Sequence, residues 1–309
     1  MRTRKPLIGT GVGWAMALIL CFSPAWAGSA LIEDLGAARM DWQTRTLTAS
    51  GQADTPQPEM DIAQDASQIQ TRQAKLRARK ALWQGLLRVR VDGDQTVKDV
   101  LQSRPERSEE LRELVQTSSI QDIAPEPPTG SSRQTSSDRT KEIPAYRARF
   151  SLSGRGAALC IPSQLWYEET DLAAPPENRS QDAASRTFTS LIVDARGLGG
   201  KPALVCRLFD RQGKLVYGPS LVSRQIGEDQ GMVVYKSSMH QARADSRAGK
   251  YPLEVRARSR HAHSRTDFVV QAKDILPRFS ENWEVFRQGR IIIVLQQEGG
   301  EQVVEYPLD

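Results

Sequence analysis

The stretch FTSLIVDARGLGGKPALVCRLFDRQGKLVYGP, Phe188 to Pro219, decides whether a nucleotide-binding enzyme fold is present in this chain. Gly197, Gly199 and Gly200 follow an apolar run and precede Lys201. A phosphate-cradling loop needs the spacing G-x-G-x-x-G or G-x-x-x-x-G-K-[ST]. It also needs a helix N-terminus directly after the glycines, because the aligned amides hold the anion. Here the spacing is G-x-G-G, and Pro202 leads into ALVCRLFD, which continues as a strand. The glycines are therefore read as a turn between strands that relieves positive φ. DRQG, Asp210 to Gly213, is the turn of a hairpin.

Working outward, TSLIVDARG is a continuous apolar strand. Gly227 to Ala244 is expected as a helix, weakened by Gly231 and the β-branched Val233-Val234. PLEVRARS and DFVVQAKD are strands flanking RHAHSR. An amphipathic helix carrying Ile275, Leu276, Phe279, Trp283 and Phe286 on one face follows, with Pro277 in its first turn, where proline is tolerated. GRIIIVLQQ closes the block as a buried strand.

Upstream, the polar stretch Glu168 to Thr187 lacks the apolar content of a packed core and separates two periodic blocks. This sets the expected organisation: a signal peptide over 1–27, a first α+β unit over 28–166, a linker over 167–187 and a second α+β unit over 188–309. A second polar stretch, Pro125 to Glu142, lies between two strand-like runs and is read as an elongated hairpin loop. In the first block, WQTRTLTASGQA is a strand, and a helix is expected from about Met60 to Arg90. Ala74, Ala78, Ala81, Leu82, Gly85, Leu86 and Val89 recur there on one face. A short helix around Ser108 to Leu114 and two strands, SSIQDIA and IPAYRARFSLSG, complete it. The fold class is α+β, two small domains each packing helices on a mostly antiparallel sheet.

The first 27 residues carry Arg2, Arg4 and Lys5, an apolar run from Leu7 to Phe22, and Ala25-Trp26-Ala27 as a small-x-small cleavage site. A secretory signal cut after Ala27 is expected. An uncleaved anchor would need a longer apolar run, and lipidation at Cys21 would need Gly, Ala or Ser where Leu20 stands. The mature chain would be exported to the periplasm or the periplasmic face of the outer membrane, with no transmembrane span. The 42 Lys and Arg against 37 Asp and Glu give a net charge of +5. Removing the signal, with three positive charges and no acid, lowers this to +2, so composition makes no case for nucleic acid. Cys160 and Cys206 remain after cleavage; they could pair in an oxidising space or stay as buried thiols.

Sites for chemistry are sparse. His261 and His263 of HAHSR could hold Zn²⁺ or Cu²⁺ if a third ligand joined them, but the other histidine, His240, lies far upstream; a polar turn is expected. No nucleophile elbow occurs, and the carboxylates are dispersed rather than paired. No catalytic residue, cofactor or metal site is assigned. The helix expected from about Met60 to Arg90 carries Arg72, Lys75, Arg77, Arg79, Lys80, Arg88 and Arg90 with no acid after Asp65. These bases either solvate an exposed face or meet an anionic envelope surface, with Arg72, Lys75 and Arg79 as contact candidates. Trp83 stands alone among them, so the aromatic interleaving of single-strand nucleic-acid binders is missing.

MDWQTRTLTASGQA and RQAKLRARKALWQGLLRVRVDGDQTVKDVL, within Met40 to Leu101, resemble the LPP-twenty family of bacterial outer-membrane lipoproteins, which includes flagellum-associated envelope proteins. The shared pattern is an aromatic-started strand ending at glycine, an Arg/Ala-rich helix and a VRVDG-x-TV entry; IPAYRARFSLSGRG resembles the closing strand. The second block resembles a C-terminal extension found in related exported proteins of unknown function. The resemblance implies a non-catalytic structural or assembly role at the envelope, with envelope proteins or an anionic envelope surface as partners. It carries no functional residue, because the shared pattern is one of packing.

Overall fold

A computed structural model describes residues 30–54, 63–123, 144–167, 187–275 and 282–296. The signal segment, the polar loop over 125–142 and nearly all of the linker lie outside the described residues.

The first half builds one antiparallel sheet. β1 (Ile32–Asp34), β2 (Arg39–Asp41), β3 (Thr46–Gln52), β4 (Ser119–Asp122) and β5 (Ala145–Ser151) run in the order β1-β2-β3-β5-β4. Alternation along β3 and β5 sends Leu47, Ala49, Ala148 and Phe150 to one face, where all are buried. Helix α1 (Ala63–Leu86) lies across that face, burying Ala74, Ala78, Leu82 and Leu86. Its run of Ala, Gln, Lys, Arg and Leu consists of good helix formers, and the buried residues recur at the helical period. Gly51 sets the distance: a Cβ there would fall on the backbone of Ala74 and Ala78. Helices α2 (Val97–Ser103) and α3 (Pro105–Gln116) follow. α2 starts at Thr96, whose amide and hydroxyl both donate to the Asp99 carboxylate, at 2.8 and 2.6 Å. A short α4 (Arg155–Cys160) ends this half.

The second half corrects part of the expectation. β6 (Ser190–Asp194), β9 (Val234–Lys236), β10 (Pro252–Arg256) and β13 (Ile291–Val294) form a four-stranded sheet in the order β10-β6-β13-β9, parallel throughout. The overall class remains α+β, but here the central sheet is not antiparallel. The reason is visible in β13 and β6: Ile291 to Val294 and Ser190 to Val193 are all buried, as in strands covered on both faces. A smaller sheet pairs β7 (Leu208–Phe209) with β8 (Leu215–Tyr217) as the DRQG hairpin, and β11 (Ser259–Arg260) with β12 (Phe268–Val269).

Of three further expectations, one changes. The helix expected over Gly227 to Ala244 is instead α5 (Arg224–Asp229), strand β9 and α6 (Met239–Ala244). Gly231, at φ +82°, breaks the helix, and Val234 enters the parallel sheet opposite Ile292. The last helix is represented by α7 (Ala272–Ile275) and α8 (Trp283–Arg287), while the expected Leu276, Pro277 and Phe279 fall outside the described residues. Cys160 and Cys206 are not bridged; both are free, buried thiols, packed among apolar side chains of the core.

One hydrophobic cluster runs through both halves. Trp42 meets Tyr235 edge to face at 6.1 Å between centroids. The VRVDG segment forms the seam: the Leu204 and Val205 amides donate to the Arg90 and Val91 carbonyls at 3.1 and 2.7 Å. No described helix is long and apolar enough to cross a membrane.

Candidate functional site

The opening glycines come first, because their geometry decides whether they form a phosphate loop. Gly197 and Gly199 sit at φ +76° and +63° in a turn after β6, with open space where a Cβ would stand. No helix starts after them: the chain passes from Gly200 to β7 without one. Gly200 packs against the Phe268 ring. These residues turn the chain.

The histidine pair forms no metal centre. His261 stacks on Phe209 at 3.8 Å, and His263 is exposed across a turn in which Ala262 takes φ +46°. Among the described residues no group of three or more His, Cys, Asp or Glu is placed to hold a metal ion. The thiols are poor nucleophiles: burial pushes Cys160 up to about 12 and Cys206 also well above its ordinary value.

Buried charge concentrates at the seam and is held for structure. Arg45 adopts φ +53° at the β2–β3 hairpin and donates to the Glu228 carbonyl at 3.3 Å. Burial, then the neighbouring Arg247, lower its pKa to about 10. Arg247 donates to the carbonyls of Gly231 and Gly289 at 2.9 and 3.0 Å and to that of Gln230. Arg207 lies 3.6 Å from Asp92, and its amide donates to Asp267 at 2.8 Å. Burial raises the Asp267 carboxyl in spite of these donors.

Of the bases expected on this helix, several are likewise engaged, and two of them, Arg88 and Arg90, lie beyond the end of α1 at Leu86. Arg77 pairs with Asp54 and donates to the Gln52 carbonyl at 3.0 Å; Arg88 donates to the Leu35 carbonyl at 3.2 Å. Arg90 pairs with Glu33 and donates to the Pro202 carbonyl at 2.9 Å. Of the three contact candidates, Lys75 turns over the Tyr146 ring at 4.8 Å, Arg79 is half-buried, and Arg72 is open to solvent.

What remains outward is a face rather than a scatter. Ile69 and Leu76, seven residues apart and so two turns along one line, are 50% and 56% exposed. Arg72 and Arg79 flank that line on one side and Lys80 on the other. Arg112 from α3 covers Trp83, the next residue of the line, at 5.2 Å, so the open part of the line runs over residues 69–80. Ile69, Leu76 and the placement of Lys80 escape a count of charges. The signal that finds them is the second apolar period, offset from Ala74, Ala78 and Leu82.

Residues 190–297 match the family described as the second domain of Treponema pallidum Tp0624. The Tp0624-like region begins at the first residue of β6 and ends just beyond β13, so it contains both sheets of the second half. It lies downstream of α1, which the match does not reach. No curated protein matches the chain.

Proposed function

We propose that this is an exported, non-catalytic cell-envelope protein, a structural or assembly factor, that docks on an anionic membrane surface through the outer face of α1. One observation carries the docking: two exposed aliphatic side chains in line, flanked on both sides by cations, Arg72 and Lys80, that are exposed and form no ion pair among the described residues. Ile69 and Leu76 would enter the interfacial layer while Arg72 and Lys80 meet lipid phosphates, the arrangement of a surface-lying amphipathic helix. The signal-like segment and the resemblance of Met40–Leu101 to the LPP-twenty family support the envelope setting, and they favour the periplasmic face of the outer membrane.

The test is flotation of the protein with vesicles of neutral phosphatidylcholine, with and without phosphatidylglycerol. Binding is expected only to the anionic vesicles. Each cation near the surface is worth about 1 kcal/mol, so Arg72→Gln with Lys80→Gln should weaken binding roughly thirtyfold. Ile69→Ser with Leu76→Ser should also weaken it. Binding of both double variants at wild-type strength would remove α1 from the reading.

A further inference from the structure

The antiparallel sheet has a second face, away from α1, and the register defines it. Arg39, Thr48, Arg149 and Ser119 form one row across β2, β3, β5 and β4; Ser50, Arg147 and Gln121 form the next. The face is concave, with a depression of about 800 Å³ bounded by the turn from Gly36 to Ala38. Its floor is short and polar, since Thr48 and Ser50 stand between the arginines of β5 and the strand that carries Arg39. Arg147 and Arg149 therefore project above their neighbours and are exposed.

The acids around the depression are already engaged. Asp34 lies 3.6 Å from Arg39, and Asp41 accepts from the amides of Gln43 and Thr44, at 2.9 and 3.3 Å, and from the Thr44 hydroxyl, at 2.8 Å. Among the described residues, no hydrogen bond or ion pair engages the guanidinium of Arg147 or Arg149. Two residues along one strand place these groups about 7 Å apart at their base. Each guanidinium offers a planar fork suited to one phosphoryl group. A single small anion would use one fork and leave the other; two adjacent phosphoryl groups would use both.

We infer that the open sheet face is a binding site for a ligand carrying neighbouring phosphate groups, with Arg147 and Arg149 each gripping one phosphate over the hydroxyls of Thr48 and Ser50. Charge complementarity selects this occupant: the two forks, unengaged among the described residues, the flanking Arg39 and the Gln121 amide all offer donors, and the Ser50 hydroxyl can donate as well, while that of Thr48 donates to the Arg39 carbonyl at 3.5 Å. The site is independent of the α1 reading, because it lies on the opposite side of the sheet.

Calorimetric titration of the full protein with inorganic tripolyphosphate, and separately with inorganic phosphate, tests it. Tripolyphosphate should bind at least tenfold more tightly than phosphate, and Arg147→Gln with Arg149→Gln should abolish that advantage while leaving the melting temperature in place. Arg147→Lys with Arg149→Lys should recover only part of it, since an ammonium cannot reproduce the fork. The α1 variant Arg72→Gln/Lys80→Gln should bind tripolyphosphate normally, so failure of one site does not imply failure of the other. Equal affinities for the two anions, or undiminished binding by the Gln pair, would overturn the inference. Full affinity in the Lys pair would overturn the forked recognition.

Discussion

At the scale of single residues, two glycines separate two physical requirements. Gly51 has an ordinary backbone conformation but no room, because α1 presses its own backbone against it. Gly197 has room but a left-handed backbone. Gly51→Ala must push the helix off the sheet and should cost about 3 kcal/mol, as overpacking does. Gly197→Ala should cost about 1 kcal/mol through conformational strain alone. Urea unfolding of both variants measures the difference; equal losses would mean that α1 sits less tightly on β3 than the contacts require. The sequence shows the turn at Gly197 through its neighbours, whereas nothing local marks Gly51 as the point where helix and strand approach.

At the scale of elements, legibility follows how local the cause is. α1 is readable because Ala74, Ala78, Leu82 and Leu86 repeat within one helix. β9 is not, because three residues between two short helices become a strand only when β13 lies beside them. The same holds for the direction of pairing: the apolar runs of β6 and β13 announce burial, while parallel register depends on distant partners. The outer face of α1 is half legible, its charges in plain view and its apolar line hidden beneath them.

Element ends also set the response to acid. Burial alone would raise Asp194, at the end of β6, but the Arg196 fork and the Arg196 amide outweigh it and hold the carboxyl below its ordinary value. Asp245, at the end of α6, is likewise buried yet lowered by Lys236 at 2.7 Å and by a backbone donor. Such groups stabilise the fold above their unfolded pKa, near 3.8, and that stability is lost as pH falls through the depressed values. Asp267 works in the opposite sense: its raised folded pKa makes ionisation costly, so its contribution falls as pH rises above 3.8. Asp267→Asn, which keeps an acceptor for the Arg207 amide, should therefore gain stability relative to wild type between pH 4 and pH 6. Urea midpoints at the two pH values check this, and a constant offset would show that Asp267 titrates normally.

At the scale of the whole molecule, the two blocks seen in the sequence share one apolar cluster, the Arg90–Val91 to Leu204–Val205 clasp, and Arg45 planted across the seam. Thermal unfolding should therefore be a single transition, with tryptophan fluorescence, to which Trp42 at the seam contributes, coinciding with far-ultraviolet circular dichroism. Two resolved transitions would show that the Tp0624-like region melts by itself and that the seam contributes little to either half.

Within the first half, α1 lies on the antiparallel sheet, with cations facing outward from both sides of that pair of layers. Its two outer surfaces are about 20 Å apart, the thickness of a helix layer on a sheet layer. That is more than twice the roughly 8 Å over which charges are felt in physiological salt. Two negatively charged bodies, one on each side, would scarcely repel each other across it. With both proposed faces occupied, a layer of this thickness would keep two like-charged ligands at a fixed, short separation that they would not adopt unaided.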